Sequence, residues 1–137
     1  MKNRYIRLYL ELLKFHVAIE KRKRSGSLDN LVQCLSKGCH PVAVGGPKPS
    51  LTTFRNSIED MGYVLIKFTG THGGTDLGMW IDINSTDLKH AHFDRHTGIA
   101  HVEGTLILNN INLRCIADIE LATLQGTGRL EVQPILH

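Results

Sequence analysis

Cysteine is scarce in this chain. Three residues, Cys34, Cys39 and Cys115, cannot all pair with one another, which argues against a disulfide-built secreted scaffold and for a reduced, cytoplasmic protein. Long apolar runs are missing too. The basic opening MKNRYIRLYLELLKFHVAIEKRKR is broken by Arg7, Glu11, Lys14 and Glu20 before a signal-type or membrane-spanning stretch develops, so no membrane partner is expected. Aromatic residues make up only 6% of the chain, and Trp80 is the single tryptophan. It reads either as cover over Leu65, its expected cross-strand neighbour, or as an exposed binding aromatic.

Catalytic signatures are equally thin. The glycine-rich GTHGGT is followed by neither Gly-Lys-Ser/Thr nor a helix, so it lacks what a phosphate-cradling loop needs. No nucleophile elbow, kinase or dinucleotide signature occurs. Cys34, Cys39 and His40 form a C-x4-C-H of zinc-ligand types, but no second CxxC or HxxxH completes a tetrahedron. As a nucleophile and its base, Cys39 and His40 would point to opposite sides of a strand.

What is present is an ordinary globular composition, 42% hydrophobic and 21% charged over 137 residues. That suits one domain, residues 1–137, able to bury roughly two thirds of its unfolded surface. Charge is uneven. Residues 1–24 carry eight Lys and Arg against Glu11 and Glu20, a balance of +6, which leaves −3 for the rest of a chain whose net charge is +3.

Apolar residues change period along the chain. Ile6, Leu10, Leu13 and Val17 recur at helical spacing, predicting a helix over residues 4–22. Ser27 caps a second, with Leu28, Leu31, Val32 and Leu35 inward, Cys34 at the edge of that face and Gly38 at the end. Ser50 starts a third, with Leu51, Phe54 and Ile58 on one side and Gly62 as its stop. The intervening CHPVAVGGPKPS reads as loop or edge strand, because its prolines each remove a backbone donor. From residue 63 the period is 2, the mark of strands. Val64, Ile66 and Phe68 form one inward set; Leu77, Met79, Ile81 and Ile83 form another. Asn109-Asn110 reads as a two-residue turn, which sets Leu106 against Leu113, Gly104 against Cys115 and Val102 against Ala117. The expected fold is α+β: residues 1–62 mainly helical, packed on one face of a curved antiparallel meander of about six strands over residues 63–137.

Four of the eight histidines lie in HAHFDRHTGIAH, residues 90–101. If RHTG is a four-residue turn, His92 lies opposite His101 and His90 opposite Glu103, while a simple hairpin into the last strand sets Glu131 opposite Asp118. His92, His101 and Asp118 would then share one row, with His90 and Glu103 in the next. Two imidazoles and a carboxylate are ligand types for a divalent metal such as Zn or Fe. The alternative is ordinary polar decoration of a sheet face, under which the protein carries no cofactor. Lys21, Arg22, Lys23 and Arg24 form a basic cluster that suits either a solvated helix end or contact with nucleic acid or a partner.

No complete catalytic constellation emerges. The first functional expectation is therefore a non-catalytic binding or regulatory module, acting through a protein partner, self-association or the basic helix on nucleic acid. The second is a metal-dependent hydrolase or oxygenase using the His/His/Asp cluster. The third is a carrier of small molecules in a curved-sheet pocket.

Overall fold

The computed structural model of the chain describes residues 27–134. The helix expected over residues 4–22, and with it Lys21, Arg22, Lys23 and Arg24, lies outside them. Helix α1 (Ser27–Leu35) leads through Gly38, at φ +73°, into strand β1 (His40–Val44). Helix α2 (Leu51–Asn56) starts on Ser50, whose hydroxyl accepts the Thr53 N–H. It widens into a π-helical turn (Ser57–Met61) that ends on Gly62 at φ +67°. Strands β2 (Tyr63–Phe68), β3 (Thr75–Ile81), β4 (Ala91–His92), β5 (Thr97–Leu108), β6 (Ile111–Glu120) and β7 (Gln125–Val132) follow, with a 3-10 turn (Phe93–Arg95) between β4 and β5.

All strand pairings are antiparallel, and six strands close on themselves in the order β1, β2, β3, β5, β6, β7 and back to β1. The expected antiparallel meander of about six strands is present, but it closes into a barrel, and the expected layer of helices over one face is corrected. The physical reason is that the sheet covers its own apolar side. Ile66, Phe68, Val102, Leu113, Ile119 and Leu130 all face inward and are essentially inaccessible to solvent, and a barrel this small is filled by its own side chains. Helix α1 adds Val32 and Leu35 to the same core, α2 adds Phe54, and the π-helical turn adds Ile58. Strand β1, read from the sequence as loop or edge strand, is paired on both sides and completes the barrel; Pro41 serves there through its carbonyl, which accepts the Thr69 N–H. The sheet thus begins at His40, well before residue 63.

Closure is narrowest between β3 and β5, where only Trp80↔Thr105 and Ile81↔Gly104 pair. Gly104 makes this possible, because a Cβ there would collide with the Trp80 carbonyl oxygen and press on Met79.

The β5–β6 hairpin has the expected register, with Leu106↔Leu113, Gly104↔Cys115 and Val102↔Ala117. Asn109 and Asn110 form its turn at φ +51° and +63°, the left-handed geometry that Asn tolerates. Two other hairpins differ. His92 lies opposite Thr97, and Ala91 opposite Gly98, because the 3-10 turn and a left-handed His96 (φ +55°) reverse the chain at once. Phe93 accordingly leaves the barrel wall and is only half-buried, beneath the Arg55 guanidinium. Asp118 lies opposite Thr127, and Glu131 opposite Arg114, because residues 121–124 form a tight turn around a left-handed Leu124 (φ +58°). Cys34 is exposed, Ile83 lies past the end of β3 and is exposed, and Val132 is exposed at the end of β7.

Candidate functional site

Among the described residues, functional groups gather on the barrel's outer face and beside α2. The first is the outer face of β5 and β6. Strand alternation points Val102 and Ala117 into the barrel and therefore His101, Glu103, Arg114 and Asp118 outward. His101 Nδ1 is 2.7 Å from Asp118 Oδ1, and its Nε2 is 2.6 Å from Glu103 Oε2. Only the imidazolium donates from both nitrogens at once. Partial burial works against that charge, but the two carboxylate bonds outweigh it and hold His101 above its ordinary pKa.

The chain of charges continues. Arg114 Nη2 donates to Glu103 Oε1 at 2.9 Å and to Asp82 Oδ2 at 2.8 Å, and Asp82 also accepts the Ser85 hydroxyl. Burial raises the Glu103 carboxyl, yet bonds from His101 and Arg114 more than reverse this and leave it below the usual range. Asp82 is lowered chiefly by its bond from Arg114. Two backbone bonds between Asp87 and His101, and Thr86 against the Glu103 backbone, fix the following segment to β5. The cluster therefore ties residues 82–87 to the barrel wall.

Of the residues expected to share a metal, the structure brings together His101, Asp118 and Glu103. His92 and His90 are exposed and displaced by the β4–β5 register. Both His101 nitrogens are engaged by carboxylates on opposite sides, an arrangement that does not converge on one point. Among the described residues no group of three or more His, Cys, Asp and Glu is arranged to hold a metal ion. His40 Nε2 bonds the Lys37 carbonyl, so this ring nitrogen is engaged locally, while Cys34 and Cys39 are free and exposed. Cys115 is buried, and burial pushes its thiol up to about 12, which leaves it protonated and inert.

The second place was missed by sequence reasoning. A pocket of about 410 Å³ opens between the chain leaving β1, the inner side of α2 with its π-helical turn, and the start of β2. Val44, Phe54, Met61, Val64 and Leu65 give it apolar walls; Thr53, Ser57 and Lys48 lie at its edge. Its existence depends on close backbone approach. Gly45 passes over β2 with its N–H bonded to the Leu65 carbonyl, where a Cβ would strike the Asp76 carboxylate, and Gly46 turns away at φ +104°. The floor is rigid, since Tyr63 is buried and its ring lies 4.7 Å from that of Trp80, tilted by 59°. Trp80 thus pairs with Tyr63 instead of covering Leu65. Gly45-Gly46-Pro47 was the only trace of this pocket in the sequence, and it reads equally well as a plain loop.

No helix among the described residues is long and apolar enough to cross a membrane. No protein-family model matches the chain, and no curated protein matches it either.

Proposed function

We propose that this chain is a non-catalytic binding module whose ligand is a small, largely apolar molecule held in the pocket between α2 and the start of β2. The observation that carries the reading is the pocket itself: about 410 Å³, within the range of about 300–1,000 Å³ that small-molecule sites occupy, with apolar walls and a few polar groups at one edge. The π-helical turn along one wall supports it, since such turns gather at functional sites. In the His101 cluster, by contrast, each charge is already partnered. Protein contacts and nucleic-acid binding through Lys21, Arg22, Lys23 and Arg24 stand as expectations of the sequence.

The single tryptophan supplies the test. Trp80 packs at a tilt against Tyr63, a pocket residue, so a neutral apolar probe such as decanol should change its fluorescence in a saturable way. Ser57→Phe fills the pocket from the helix side without touching the barrel, and should weaken binding at least about tenfold while the circular dichroism stays unchanged. Unaltered decanol affinity in this variant and in Leu65→Phe would remove the pocket from the account.

A further inference from the structure

We infer that the pocket's ligand is an amphipathic acid, an apolar body ending in a carboxylate or similar anion, with Lys48 as the group that receives the charge. This rests on the binding reading above and goes one step further, to ligand class. Among the residues lining the pocket Lys48 is the one ionised group; no Asp or Glu is present. The lysine is also available. Arg55 is held by Glu59 and Asp94, Arg114 by Glu103 and Asp82, and Arg129 by Glu131. Lys48 has no ion pair among the described residues.

The polar groups beside it are already occupied in a way that favours an anion over a neutral donor. Ser57 gives its hydroxyl proton to the Thr53 carbonyl, and Ser50 gives its proton to Thr53 Oγ1, which leaves the Thr53 hydroxyl proton free to donate. A carboxylate accepts from both Lys48 and Thr53. A primary amine finds no acceptor of opposite charge and faces a like charge. Lys48 is solvent-exposed, so the head group is expected at the mouth, half in water, with the apolar tail inward against Phe54, Val64 and Leu65. An exposed ion pair of this kind contributes selectivity more than affinity.

The experiment compares decanoate, decanol and decylamine at pH 7.5 by Trp80 fluorescence, with the intact chain and its Lys48→Gln and Lys48→Glu variants. Decanoate should bind about three- to tenfold more tightly than decanol, and decylamine more weakly than either. Lys48→Gln should erase the decanoate advantage and leave decanol unchanged; Lys48→Glu should reverse the order of decanoate and decylamine. Raising the salt concentration should narrow the gap in the unaltered protein. Equal binding of decanoate and decanol, or a decanoate preference that survives Lys48→Gln, would overturn the assignment of ligand class while leaving the pocket as a binding site. Binding of none of the three, as when another stretch of polypeptide fills the pocket, would overturn both.

Discussion

His101 is the residue whose behaviour depends most on its surroundings. Its bonds to Asp118 and Glu103 raise its folded pKa, whereas in the unfolded chain it titrates near about 6.5. The stabilisation is therefore fully present below the unfolded value and is lost as pH rises through the folded one. Glu103 has the opposite sign: its folded pKa is lowered, so its contribution is present above about 4.3 and is lost as pH falls through the folded value. Together they define a plateau of greatest stability in mildly acidic solution. Comparing urea midpoints of the protein and its His101→Gln variant should show a difference of about 1 kcal/mol at pH 5.5, the scale of partly exposed ion pairs. The difference should shrink towards zero as the pH is raised through the folded value. A difference that grows with pH would mean that His101 is not held as the imidazolium.

At the scale of elements, the barrel closes through one glycine. Gly104→Ala places a methyl group against the Trp80 carbonyl and the Met79 side chain, so the β3 backbone has to give way. Thermal unfolding should report a loss of about 1–3 kcal/mol, the range for overpacked sites, with Trp80 fluorescence altered because β3 has to shift. A neutral result would show that β3 and β5 are not joined at this point.

Hairpins show where the sequence was legible. The β5–β6 register could be read because Asn109 and Asn110 advertise a left-handed turn and because slipping by one residue would expose Leu106, Leu113 and Val102. The β4–β5 and β6–β7 registers could not: the chain reverses at His96 and Leu124, side chains that carry little turn signal, and Gly98 (φ +90°), read as closing a four-residue turn, is paired with Ala91 inside the hairpin. In both cases the true register differs from the expected one by four residues, an even number. Inside and outside were thus preserved while neighbours changed, which is why the barrel core agrees with expectation and the expected His92–His101 row does not form. His101 and Asp118 did meet as expected, since they belong to the one hairpin with a readable turn. The pocket had no such signal. A void arises from how α2 and its π-helical turn stand off from β2, a relation between elements that no local pattern encodes.

Considered as a whole, the molecule is a barrel whose inward side chains form one core, and the proposed binding site lies at the β1–β2 connection. There α2 contributes Phe54 and the π-helical turn Ile58 to the core, and Phe54 also forms part of the pocket wall, while the ionic cluster on the far strands ties down the segment after β3. The most direct test of this division is to record amide chemical shifts of the isotope-labelled protein during a decanol titration. Changes should concentrate at Gly45, Gly46, Ser57, Met61 and Leu65, with His101, Glu103 and Asp118 unmoved. Shifts centred on the His101 cluster, or scattered over the barrel without saturation, would contradict a binding module built on the pocket beside α2.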